Sequence, residues 1–98
     1  MKTKTIAAVA LLLLASGRAA FAYKGEDLAK DAKITMGQAR EIALKARSGQ
    51  VTDVELEREH GGLRYSFDIK AGSKTYEVGV DAMTGKLLEN AAEGANPD

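Results

Sequence analysis

Two short glycine-bearing breaks divide residues 51–81 into three runs that alternate apolar and polar residues, and the runs must pair in a way that keeps one face apolar. Val54 and Leu56 alternate with Asp53, Glu55, Glu57 and Glu59 up to Gly61-Gly62. Leu63, Tyr65, Phe67, Ile69 and Ala71 then alternate with Arg64, Ser66, Asp68 and Lys70, and after Gly72-Ser73 the pattern continues as Tyr76, Val78 and Val80 against Thr75, Glu77 and Gly79. Period-two alternation of this kind marks strands buried on one face. A two-residue loop at 61–62, with glycines able to take positive φ at both positions, pairs Val54 with Ile69 and Leu56 with Phe67. One at 72–73 pairs Ile69 with Tyr76, Phe67 with Val78 and Tyr65 with Val80. Each loop independently gathers the apolar residues on one face, as an antiparallel sheet with a single buried face requires.

The third run leads into Asp81-Ala82-Met83-Thr84-Gly85-Lys86, which reads as a type I turn closed by a left-handed glycine, with Asp81 placed to accept from backbone N–H groups ahead of it. A return strand follows, and a bulge there leaves either Leu87 or Leu88 facing the core. From Glu89 the periodicity is lost, and residues 90–98 are expected to be a disordered tail.

Upstream, Thr35 and Gln38 have the spacing of a capping box, in which each side chain satisfies a backbone N–H left unpaired by the first helical turn. The spacing predicts a helix from Met36 to Arg47, stopping at Ser48-Gly49. Met36, Ala39, Ile42, Ala43 and Ala46 form its apolar stripe, with Leu44 pointing away and Glu41 and Lys45 paired on the wet side. Three alanines in that stripe let the helix axis come close to the sheet. Glu26 and Asp27 early, with Lys30 and Lys33 late, suit a short helix from about Glu26 to Ala32. The expected class is α+β: one α-helix packed on a four-stranded antiparallel β-meander, preceded by a short N-terminal helix.

The start of the chain has a different character. Lys2 and Lys4 precede an unbroken apolar run from Ile6 to Ala15, and Ala20-Phe21-Ala22 is a small-x-small cleavage site. Residues 1–22 therefore read as a secretory signal peptide. Its apolar core of about ten residues falls well short of the roughly twenty a membrane-spanning helix needs, so no stable membrane insertion is expected after cleavage. The division expected is signal peptide 1–22, N-terminal segment 23–33, domain 34–89 and tail 90–98, in a periplasmic or secreted protein. Lys2, Lys4 and Arg18 would leave with the signal while all 14 acids stay, which takes the formal charge from zero to −3. A mildly acidic domain is a poor fit to nucleic acid or to anionic membrane. There is no cysteine, so neither a lipid anchor on a new N-terminal thiol nor a disulfide is available.

The side-chain chemistry is sparse. His60 is the lone histidine and sits at a hairpin end beside Glu59. Metal or catalytic work needs convergent partners that its spacing does not supply. Ser48, Ser66 and Ser73 fall in a helix stop, a strand and a turn, none of them the context of a catalytic nucleophile. No catalytic residue and no cofactor are expected. The outward sheet face is more informative, because the derived register sets Glu55, Asp68 and Glu77 side by side, with Glu59 beside Arg64, Arg64 meeting Asp81, and Asp53 beside Lys70. The plain account is a solvated charged face that keeps the domain soluble. The functional account makes Glu55, Glu57, Asp68 and Glu77 a recognition surface for a basic protein partner, or makes Glu55, Asp68 and Glu77 a weak divalent-cation site of oxygen ligands. The first strand and the last are sheet edges, open to an extended peptide or guarded by charge.

Taken in order, the helix Ile34-Thr35-Met36-Gly37-Gln38-Ala39-Arg40-Glu41-Ile42-Ala43-Leu44-Lys45-Ala46, the strand Val54-Glu55-Leu56-Glu57, the strand Tyr65-x-Phe67-x-Ile69 and the closing Tyr76-Glu77-Val78-Gly79-Val80-Asp81-Ala82-Met83-Thr84-Gly85-Lys86-Leu87-Leu88 resemble a single PepSY domain. The resemblance departs only after the helix, where Arg47-Ser48-Gly49 stands in place of an immediate proline or glycine. It implies a non-enzymatic binding module with no catalytic residues to carry over. Such domains occur in propeptides of thermolysin-type peptidases, in membrane sensors and as small exported proteins. Peptidase inhibition in the bacterial envelope is the implied activity, and the partner is a peptidase or another envelope protein. Ligand or cation sensing for a membrane partner is the alternative.

Overall fold

The computed structural model describes residues 22–94, so the expected signal peptide lies, except for Ala22, outside the described residues. A 3₁₀ helix, Glu26–Asp31, precedes α1, Met36–Ala46, and four strands follow: β1 Gln50–Glu59, β2 Gly62–Ala71, β3 Lys74–Asp81 and β4 Leu87–Ala92. They form an antiparallel meander in the order β1-β2-β3-β4. The expected α+β class and its short N-terminal helix are observed.

The capping box forms as the sequence predicts. The Gln38 N–H donates to Thr35 Oγ1 at 3.1 Å, and the Thr35 N–H donates to Gln38 Oε1 at 2.9 Å. The helix ends one residue early, with Arg47 already extended and its N–H bonded to Ala43 O. Ala39 and Ala43 are fully buried, and Leu44, expected to face water, is half-buried against the core.

The interior is built where the alternation places it. Leu56, Leu63, Tyr65, Phe67, Ile69, Val78 and Val80 are buried on the helix side. Ala82 joins them, and its carbonyl accepts from the N–H groups of Lys33 and Ile34, tying the last turn to the start of the helix. Tyr65 donates its hydroxyl to Ile34 O at 3.0 Å.

The β2–β3 register is the expected one, with Ile69 opposite Tyr76, Phe67 opposite Val78 and Tyr65 opposite Val80. The β1–β2 register differs by two residues: Val54 faces Phe67 and Leu56 faces Tyr65. The turn is made by His60 and Gly61, at φ 53° and 79°, rather than by the two glycines. A slip of two preserves which face each side chain occupies, so the core is unaffected while the neighbours on both faces change. Thr52 is an extra residue in β1, leaving Val51 opposite Ile69.

The return strand is longer than expected. β4 runs through Asn90, Ala91 and Ala92, paired with Val78, Glu77 and Tyr76, so regular structure extends past residue 89 into what was expected to be tail. Asn90 anchors it by accepting from Arg47 Nε at 3.1 Å and donating to Ala46 O at 3.3 Å. The bulge is present, with Leu87 opposite Val80 and Glu89 opposite Gly79, yet both Leu87 and Leu88 are exposed.

Candidate recognition surface

The sheet face away from α1 has two chemically different ends. At one, Arg64 lies flat across the strands with only 11% of its side chain exposed. Its Nη2 donates to Glu89 Oε1 at 2.9 Å and its Nε to Ser66 Oγ at 2.9 Å. Ser66 Oγ donates in turn to Glu57 Oε2 at 2.8 Å. Glu59 at 3.4 Å, Glu57 at 3.8 Å and Glu77 at 3.9 Å complete a ring of four glutamates with Glu89. Charge-assisted bonds of this kind are the stronger class of hydrogen bond.

Gly79 makes room for this arrangement. It points outward between Ser66 and Glu89, and a Cβ there would run into the Arg64 guanidinium. A glycine in the middle of a β-branched strand is the sequence signal for such a close approach. Reading the sequence alone gave Arg64 two partners, Glu59 and Asp81, and missed that it is the hub of the face.

At the other end the charge is unbalanced. Asp68 faces Asp53 on one side and Glu77 on the other. Carboxylate oxygens of Asp68, Glu77 and Glu93 lie within 4.8 Å of one another. Burial, then the charges of Glu93 and Asp53, push the Asp68 carboxyl above its ordinary value. Glu77 is raised by burial and by Glu89 and Asp68, with Arg64 opposing.

The structure brings together only part of the expected row of Glu55, Asp68 and Glu77. Asp68 and Glu77 are direct neighbours, but the two-residue slip puts Glu55 opposite Ser66 and within 3.8 Å of Lys24. Glu57 is drawn to the Arg64 end. Glu93 takes the third place in the cluster and was overlooked because its segment carries no alternation. Lys70 faces Gln50, not Asp53. His60 has a 90% exposed side chain, 3.7 Å from Glu59, as a hairpin end implies.

The two edges of the sheet also differ. β1 is covered: Leu56 N–H donates to Lys24 O at 2.9 Å, Lys24 bridges to Glu55, and the 3₁₀ helix lies alongside, with Arg58 reaching Asp31 at 2.8 Å. β4 has no strand beyond it among the described residues.

Comparison with known proteins places this geometry in context. The family described as PepSY, peptidase propeptide and YPEB domain, matches residues 33–90. A crystal structure of a protein from Clostridium difficile 630, described as a lipoprotein, superposes with a TM-score of 0.60 at 32% identity, covering 61% of this chain and 40% of that one. The chain thus spans about two fifths of the length of that protein. No curated protein matches the chain.

Proposed function

The chain belongs to the PepSY family, and from that premise we propose that it is an exported, non-enzymatic binding module that restrains a peptidase in the bacterial envelope. The observation that carries this reading is the family match over residues 33–90, which takes in α1 and all of the sheet but the last two residues of β4. The family's description couples it to peptidase propeptides, and a propeptide acts by occupying its enzyme rather than by chemistry of its own. A chain with one histidine and no cysteine has little from which to assemble hydrolytic machinery.

Export fits the basic, apolar and small-x-small pattern of residues 1–22. Tyr23 packs against the core, and burial together with the charge of Glu26 raises its hydroxyl pKa. The mature protein then begins at Tyr23, with the domain closing at the end of β4. Intact-mass measurement on protein from the envelope checks this, and a retained Met1 would overturn it. No described helix is long and apolar enough to cross a membrane.

The test of function is inhibition of a thermolysin-type metallopeptidase from the same envelope by the purified protein. Saturable inhibition without cleavage of the inhibitor is expected; an unchanged peptidase rate at a large molar excess would overturn the reading.

A second reading, cation sensing for a membrane partner, is favoured by the Asp68, Glu77 and Glu93 cluster, since hard divalent ions take clustered carboxylates. It expects millimolar calcium to raise the unfolding midpoint of wild type and not of Asp68→Asn. An identical midpoint with calcium and with chelator would remove it.

A further inference from the structure

The free edge of β4 combines three properties. Its backbone has no partner strand among the described residues, its outward face is acidic, and its first residues are exposed and apolar. Glu93 N–H donates to Thr75 O, which marks Thr75 and Glu93 as a hydrogen-bonded pair. Alternation along an antiparallel ladder then turns the N–H groups of Glu89 and Ala91 toward β3 and those of Asn90 and Ala92 toward the open edge. The strand sequence Leu87-Leu88-Glu89-Asn90-Ala91-Ala92 has none of the lysines or prolines that commonly guard an edge. β1, by contrast, has its edge occupied by Lys24 and the 3₁₀ helix.

Charge decides what fits. Glu89 and Glu93 flank Ala91 on the outward face, with Glu77 and Asp68 behind them. A second copy paired antiparallel about Ala91 would bring Glu89 and Glu93 of the two copies together on that face, and like charges directly opposite are unfavourable. A strand bearing Lys or Arg there would instead meet the acids across the pair. Leu87 and Leu88, 41% and 46% exposed, offer apolar contact where β4 begins.

We propose that β4 accepts an extended peptide segment of alternating basic and apolar residues as a fifth strand, its basic side chains lying over Glu89 and Glu93. The inference rests on the reading of the chain as a binding module and names how that module holds its partner. Main-chain pairing supplies affinity, and the acidic face selects the residues of one side of the added strand.

The probe is the acetylated, amidated peptide (Lys-Val)₄, with (Glu-Val)₄ as control, titrated into the purified protein and followed by amide NMR. The lysine peptide should bind at least tenfold more tightly, shift Asn90 and Ala92 most, and weaken with added salt. Ala92→Pro removes one edge donor without touching the β3 ladder, and should lower affinity at least tenfold at an unchanged unfolding midpoint. Should that variant unfold, Glu93→Gln serves in its place, with an expected loss of about threefold. Equal affinity for the two peptides, no binding at millimolar concentration, shifts centred on β1 or α1, or self-association through β4 would each overturn the inference. Peptidase inhibition by wild type that persists unchanged in Ala92→Pro would also overturn it while leaving the binding-module reading intact. Peptide binding at β4 with no peptidase inhibition would do the reverse.

Discussion

The two faces of one sheet obey opposite rules. Toward α1, Tyr65, Phe67, Val78 and Val80 are buried against Ala39 and Ala43, and the energy there is area removed from water. Away from α1, one nearly buried arginine holds four glutamates, and beyond it Asp68 and Glu93 have no ion pair among the described residues. The first arrangement fixes the fold. The second leaves a negative field standing at one end of the open face, which a folding argument alone does not require.

The largest expected effect lies on the buried side. Phe67→Ala opens a cavity between Val54, Val78 and the alanine face of the helix, and should cost about 3–5 kcal/mol, enough to unfold a domain of this size. A urea denaturation midpoint equal to wild type would show the two faces to be wrongly assigned.

Arg64→Met comes next, because it keeps the aliphatic stem and removes the charge that Glu57, Glu59, Glu77 and Glu89 share. Loss of charged hydrogen bonds at a site only partly shielded from water should cost about 1.5–3 kcal/mol. Gly79→Ala should cost about 1 kcal/mol in wild type, because the new Cβ must displace the guanidinium. In an Arg64→Met background that cost should nearly vanish, and the double-mutant cycle reads the coupling directly. Additive effects would mean that the glycine serves the backbone rather than the arginine.

The pH dependence sharpens the contrast between the two ends of the open face. Asp68 and Glu77 have raised carboxyl pKa values, so through that range the folded state binds more protons than the unfolded one. Their contribution therefore favours folding at low pH and is lost as pH rises from the ordinary carboxylate range through their raised values. Asp68→Asn should flatten this part of the stability profile. Denaturation midpoints measured from pH 4 to 7 check the sign, and a wild-type contribution that grew with pH over this window relative to Asp68→Asn would contradict it.

Much of the buried face was legible because alternation, a capping box and a two-residue turn at Gly72-Ser73 all specify the same packing. The slip in β1 was not, since moving by two residues changes no side chain's face and the pattern has no means of detecting it. The left-handed backbone of His60 and Gly61 settles that turn, whereas Gly61-Gly62 offers two residues that take positive φ more freely than a histidine does. The open face suffered most from the slip: Glu55 left the acidic row, and Glu57 rather than Glu59 came opposite Arg64. Glu93 and the rest of β4 were hidden because Asn90, Ala91 and Ala92 carry no period, their pairing being imposed by β3 and by the anchoring of Asn90 on α1. Gly79 is visible as an outward glycine, but alternation carries no side-chain direction along the sheet, so it pairs Arg64 with Glu59 and Asp81 and does not show the guanidinium lying over Gly79.

The central claim is that the helix side folds the protein and the open side recognises its partner. Neutralising Asp68 and Glu93 together, as Asp68→Asn with Glu93→Gln, tests it in one preparation by measuring the urea midpoint and the dissociation constant for (Lys-Val)₄. Stability should hold or rise by a few tenths of a kcal/mol as repulsion is removed, while binding weakens about tenfold. A variant that loses stability and binds the peptide as tightly as wild type would show the acids to be part of the scaffold and not of the recognition surface.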